Sequence, residues 1–277
     1  MIEELSFYLM FPFVRYAILV GVLVALSASL LGVVLVLKRF SYIGSGLSHV
    51  AFGTYAIAMI LGFANDMILV MPLTVIIAIL LIRSKQITIK ADASIAMVSV
   101  SSLAIGYFLM NVFSGSLNIS ADVCSTLFGS TSILTLGKLE VVLSIVMATS
   151  VIFVFIFSYH RIFSMTFDEE YANVSGMNVN GFNTAFSIVT AIVIVLAMNL
   201  VGSLLITGLI IFPALTAMRL FHSFKKVVIA TAVISVIGAF MGMIMAILFS
   251  SPVGSTIVIM YLLFFGLAYF ISKSGGK

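Results

Sequence analysis

The chain has 277 residues, of which 63% are hydrophobic and 8% are charged, with a formal net charge of +4. So small a charged fraction excludes a soluble globular protein, and the basic residues flank apolar runs, which argues against nucleic-acid binding. The single cysteine, Cys124, excludes an intramolecular disulfide framework. We therefore predict an all-α, polytopic helical membrane protein in a lipid bilayer, with residues 1–277 forming one transmembrane domain.

Nine segments are apolar over roughly the 20 residues that a helix needs to cross a bilayer. In chain order they cover about 16–37, 46–64, 67–82, 92–112, 139–158, 182–200, 203–221, 227–249 and 255–272. Polar and small residues, including Gly202, interrupt the stretch 198–207, and a broken membrane helix is tolerated only against protein or a cavity. We predict eight to nine transmembrane helices, the lower number applying if one short segment is re-entrant.

The distribution of basic residues predicts the orientation of these helices. If the amino terminus is outside, all but two of the thirteen Lys and Arg residues lie in inside loops, and the two exceptions are Arg15 and Lys138. The positive-inside rule favours this arrangement.

His49 is one of three histidines and begins the apolar part of the second span, within the run YIGSGLSHVAFG at residues 42–53. An ionisable side chain in a membrane segment is costly unless it is paired, so His49 is a candidate functional residue. The alternative is that it hydrogen-bonds a neighbouring helix across a small-residue contact at Gly46 and Gly53. The residues alone leave both interpretations open.

Asp122 and Cys124 lie toward the outer side and pair a carboxylate with a thiol. Both groups are zinc ligands, so they could form an entry point for a metal ion. On a helix, however, positions two apart diverge by about 200 degrees, and the two side chains converge only if this segment is locally extended.

The longest inside connection, residues 160–178, predicts a short cytoplasmic helix. Thr166 and Glu169 have the spacing of a capping box, acids at 168–170 suit a helix amino end, and Gly176 is a plausible carboxy-terminal stop. A long ordered connection in a helical bundle tends to be functional, which indicates a docking surface for a soluble partner. The alternative is a solvated connector at the membrane interface.

The sequence has no Gly-x-x-x-x-Gly-Lys-Ser/Thr phosphate loop, and no span carries paired acids that could relay protons. We therefore expect no ATPase site of its own. Energy for any transport must come from another chain or from an ion gradient.

Four stretches in order resemble the metal-type ABC transporter permeases, the zinc, manganese and iron uptake family: residues 37–53, 91–96, 167–176 and 201–214. The resemblance implies a permease subunit of an ATP-binding-cassette importer for a divalent transition metal, zinc first and then manganese or iron, in a bacterial or archaeal plasma membrane. It also implies a second copy of the permease, a cytoplasmic ATP-binding subunit and an extracytoplasmic metal-binding protein. The metal is then the transported ion, and the chain itself holds no cofactor.

The resemblance also assigns roles to individual residues. It puts His49 on the metal pathway, with Ser45 at the position where the family typically has aspartate. Positions four apart share a helix face, so Ser45 lies on the same face as His49 but lacks the negative charge of aspartate. The resemblance further implies that the segment from Phe167 to Gly176 is the coupling helix that meets the ATPase, with Phe167, Asp168, Glu169, Glu170, Tyr171 and Gly176 as its contributing residues.

Two other functions stay open at the sequence level. The interruption near Gly202 is compatible with a gradient-driven secondary transporter, although the scarcity of intramembrane charge argues against it. A membrane scaffold without transport is the other alternative, and the structured inside connection argues against that.

Overall fold

The computed structural model describes residues 7–8, 10–62, 66–83, 91–113, 138–203 and 205–274. Of these residues 89% are helical and none lies in a strand, which confirms the predicted all-α class. The helices are α1 Pro12–Leu37, α2 Ile43–Ile60, α3 Met67–Arg83, α4 Ala91–Phe113, α5 Lys138–Phe157, α6 Tyr159–Phe167, α7 Glu169–Val174, α8 Val179–Val201, α9 Ile206–Leu220, α10 Phe224–Phe249 and α11 Val253–Ser274.

Every predicted span coincides with a helix to within a few residues. Within the described ranges, the helices α1, α2, α4, α8, α10 and α11 are long and apolar enough to cross a membrane. A seventh span results if α5 and α6, which meet at a bend of 76°, are counted together. The helices α3 and α9 are apolar but have only 17 and 15 residues. At about 1.5 Å per residue they fall short of a hydrocarbon core about 30 Å thick, so the count of eight to nine stays a prediction.

Helix α1 is the centre of the bundle and packs against α5, α8, α9 and α10. Its second half is almost entirely buried and is rich in small residues. At Gly32 the backbone of α1 meets that of α9, because a Cβ on this residue would overlap the carbonyl oxygen of Ile210. Without a hydrophobic driving force between helices in lipid, close backbone packing of this kind stabilises the contact.

Two helix groups flank this centre. On one side α2 packs against α3 and, most extensively, against α4, while α8 packs against α3 and also touches α2. On the other side α9, α10 and α11 pack against one another. The predicted interruption near Gly202 separates α8 from α9, since α8 ends at Val201 and α9 begins at Ile206. The first group carries His49, so its packing positions the candidate site.

We expect Gly32→Ala to destabilise the protein, because the added methyl group forces α1 away from α9. The cost of such overpacking is about 1–3 kcal/mol, and thermal unfolding of the purified protein in detergent measures it. Gly266→Ala is the matched control, since a Cβ there has no neighbour within 4 Å. An equal loss of stability in both variants would contradict the close packing of α1 and α9.

Candidate functional site

The His49 side chain joins two helices inside the bundle. It is 9% exposed, and its Nδ1 lies 2.7 Å from the Oγ of Ser99 on α4. Its other ring nitrogen, Nε2, is buried and has no hydrogen-bond partner among the described residues. A buried polar atom without a partner is costly, so Nε2 is the atom of this side chain that a ligand would satisfy.

Small residues bring α2 and α4 close enough for this hydrogen bond. A Cβ on Gly46 would lie 2.8 Å from Cγ2 of Ile95, and a Cβ on Gly53 would lie 2.7 Å from the carbonyl oxygen of Ser102. The small-residue contact predicted as the alternative role of His49 therefore exists. It uses Nδ1 alone and leaves Nε2 for a second role.

Ser45 lies half-buried one helical turn before His49 on α2, and its carbonyl oxygen accepts a hydrogen bond of 2.9 Å from the Oγ of Ser48. The described ranges contain no group of three or more His, Cys, Asp or Glu side chains that could hold a metal ion. Asp122 and Cys124 lie outside the described residues, so their role stays a prediction. An imidazole and a neutral hydroxyl one helical turn apart are a weak donor set for a divalent cation.

A short helix, α7, forms in the segment for which the sequence predicts a cytoplasmic helix, but its cap differs from the prediction. Asp168 is the N-cap, and its Oδ1 accepts a hydrogen bond of 2.8 Å from the backbone N–H of Tyr171. The capping box at Thr166 is wrong, because α6 continues to Phe167 and the Thr166 hydroxyl donates to the Ile162 carbonyl inside that helix. The chain leaves the helical conformation only at Asp168, which has φ −148° and ψ 97°.

The predicted stop at Gly176 is confirmed. This residue has φ +82°, a conformation that glycine adopts without a steric penalty. Its N–H donates to the Asn173 carbonyl, and the N–H of Met177 donates to the Ala172 carbonyl. This pair of hydrogen bonds is a Schellman motif and ends α7.

The residues predicted for docking divide into two sets. Phe167 and Tyr171 are 58% and 64% exposed, and Glu170 is exposed beside them. Val174, which the sequence analysis missed, is 88% exposed and lies three residues after Tyr171 on α7. We call Phe167, Glu170, Tyr171 and Val174 the outer face. Large apolar side chains exposed together beside a charged residue favour the docking interpretation of this face.

Glu169 points the other way and forms a partly buried ion pair. Its Oε1 lies 3.0 Å from Nζ of Lys38, the residue that follows α1, and the two side chains are 27% and 6% exposed. Nζ also donates to Oδ1 of Asn183 on α8 at 3.0 Å and lies 5.8 Å from the ring centroid of Phe182. We call Lys38, Glu169 and Asn183 the polar junction. Sequence reasoning counted Lys38 only as an inside charge, and no local signal pairs residues 131 positions apart.

An aromatic cluster packs α6, the helix that precedes α7, against α10. The ring of Phe224, at the start of α10, lies 5.5 Å from the rings of Tyr159 and Phe163 and 6.0 Å from that of Phe167. Next to α7 the surface opens into a cleft of about 410 Å³ whose lining includes Arg39 and Glu170. The end of α1 and the 160–178 connection, both predicted to be inside, therefore lie at the same end of the molecule.

Comparisons with known proteins cover nearly the whole chain. A family model described as the ABC 3 transport family matches residues 10–272. The high-affinity zinc uptake system membrane protein ZnuB of Haemophilus influenzae is 28% identical over 265 residues, which is 95% of this chain and 98% of that protein. The manganese import system permease protein ScaB of Streptococcus gordonii is 29% identical over 264 residues, covering 95% and 92% of the two chains.

The fold also matches a solved structure. A chain of PsaBC from Streptococcus pneumoniae in complex with Fab superimposes with a TM-score of 0.84 at 27% sequence identity. The match covers 98% of this chain and 96% of that one.

We expect Asp168→Ala to loosen α7, because it removes the acceptor for the Tyr171 N–H. Loss of an N-cap costs about 1 kcal/mol, which corresponds to roughly fivefold faster amide hydrogen exchange in residues 169–177. Asp168→Asn is the matched control, since asparagine caps a helix equally well. Equal exchange in all three proteins would contradict the capping role.

Proposed function

The chain belongs to the ABC 3 transport family, and from this membership we propose that it is the membrane-spanning permease subunit of an ATP-binding-cassette importer for a divalent transition metal. The match of the family to residues 10–272 is the observation that carries the proposal. It favours ATP-driven import over a gradient-driven transporter and over a scaffold. With α3, α5 and α9 counted as passes beside the six longer helices, the permease has nine spans, or eight if one short helix is re-entrant.

The transported ion is zinc or manganese, with iron as a further candidate. Relatives named for zinc uptake and for manganese import are equally similar to this chain, so similarity does not separate the two metals. Imidazole binds zinc well, whereas a hydroxyl at position 45 contributes no charge to the site. A permease dimer brings two copies of His49 and Ser45, which raises the number of donors without making the site too tight for release.

The ATP-binding subunit that drives transport docks at the cytoplasmic end of the permease, on the outer face. The chain has no phosphate loop, so a separate ATP-binding subunit hydrolyses ATP. Aromatic side chains at the centre of an interface contribute most of its affinity, and Phe167 and Tyr171 are exposed beside the charged Glu170. An extracytoplasmic metal-binding protein delivers the ion on the opposite side of the membrane.

We expect His49→Ala to lower metal uptake by about tenfold or more, because the pathway loses its imidazole donor. The measurement is uptake of zinc, manganese and iron into proteoliposomes that hold the permease, its ATP-binding subunit and the metal-binding protein. His222→Ala is the matched control, since this histidine is exposed at the inside end.

Ser45→Asp tests the same site in the opposite direction. The added carboxylate gives the pathway a charged donor beside His49, so we expect apparent affinity for the transported metal to rise by about tenfold. If neither the parent protein nor Ser45→Asp moves any of the three metals, the proposed function is wrong.

We expect Tyr171→Ala to weaken binding of the ATP-binding subunit, because it removes a large exposed side chain from the outer face. Loss of a central aromatic costs about 2 kcal/mol, or roughly thirtyfold in Kd, and calorimetry or interferometry on the detergent-solubilised permease measures it. Thr184→Ala on α8 shortens a partly exposed side chain outside the outer face and serves as the control. Unchanged affinity in Tyr171→Ala would contradict the docking role.

A further inference from the structure

The docking helix α7 is too short to hold a position by itself. It has six residues, and an isolated helix of that length is unstable in water. Its first residue, Glu169, belongs to the polar junction, through which α7 meets the end of α1 and the second turn of α8. The position of α7 is therefore tied to the positions of α1 and α8.

The charged and polar groups of the polar junction hold α7 rigidly to α1 and α8. The Lys38 side chain is almost fully buried, and its ammonium group is satisfied by the Glu169 carboxylate and the Asn183 amide oxygen. A buried charge that loses its partner is strongly disfavoured, so Lys38 must follow Glu169 when α7 moves. The aromatic cluster around Phe224 is different, because apolar contacts have no preferred direction and permit sliding.

We infer that the polar junction transmits movement of the docking helix to the helices that line the pathway. This inference rests on the proposed function, in which the ATP-binding subunit moves α7. From Lys38 the movement reaches α1 directly. From Asn183 it reaches α8, which touches α2, the helix that carries His49. Lys38 and Glu169 are then positioning residues, distinct from the outer face, and neither contacts the ion.

Glu169→Gln is the decisive variant, because it removes the charge and keeps the size of the side chain. Asp66→Asn is the matched control, since it also replaces a carboxylate by an amide, at a partly exposed residue outside the polar junction and the outer face. Each permease is assembled with its ATP-binding subunit and metal-binding protein in proteoliposomes. Three quantities are measured: affinity for the ATP-binding subunit, the rate of ATP hydrolysis, and the zinc or manganese ions transported per ATP hydrolysed.

We expect Glu169→Gln to bind the ATP-binding subunit like the parent protein but to transport about tenfold fewer ions per ATP, while Asp66→Asn keeps the parent ratio. The double variant Lys38→Glu/Glu169→Lys restores the charge pair, and rotation of the Asn183 amide lets it donate to the new carboxylate. We expect it to recover the parent ratio. A structural role alone would lower assembly in Glu169→Gln without changing the ratio of the complexes that form.

Two outcomes would overturn the inference. One is a parent-like transport ratio in Glu169→Gln, and the other is loss of binding to the ATP-binding subunit, which would make Glu169 a docking contact. If the Glu169→Gln permease does not fold stably enough to be purified, the double variant decides: a complex of the double variant with a low ratio overturns the inference, and a recovered ratio supports it. A parent protein that binds no ATP-binding subunit and moves no metal would instead contradict the proposed function, and this inference with it.

Discussion

The cost of burying an ionisable group away from water governs both functional regions of this protein. His49 and Lys38 are each buried in the bundle, and each is paired with a residue on a distant part of the chain. The partner of His49 is Ser99, 50 positions away, and the carboxylate that pairs with Lys38 is Glu169, 131 positions away. Because a buried polar group is expensive to leave unpaired, these contacts hold the helices that carry them in defined relative positions.

The two sites offset the cost of burying an ionisable group in different ways, and the difference agrees with the functions that we propose for them. The polar junction gives Lys38 two close acceptors, so it behaves as a fixed mechanical link. His49 has one partner, and its second ring nitrogen is buried without a partner among the described residues. A donor set that is incomplete within one chain can take an ion from solution and release it again, whereas a complete set would retain it.

The central helix α1 connects these regions through close packing. Small residues such as Gly32 let it touch α9, and its inside end leads directly into Lys38. On the other side of the bundle, α8 carries Asn183 and packs against the helices next to His49. Because close-packed protein interiors transmit strain, the bundle can move as a few rigid groups.

Features set by neighbouring residues were predictable from the sequence, whereas contacts between residues far apart in the chain were not. Each membrane helix satisfies its own backbone, so hydropathy located the helices, and the chain turns at Gly176 as a local motif requires. The cap at Asp168 was missed because it depends on where α6 ends. The inward direction of Glu169 and the pairing of His49 with Ser99 depend on helices brought together by the fold. Only the tertiary structure could decide them, since no local pattern encodes a partner 50 or more residues away.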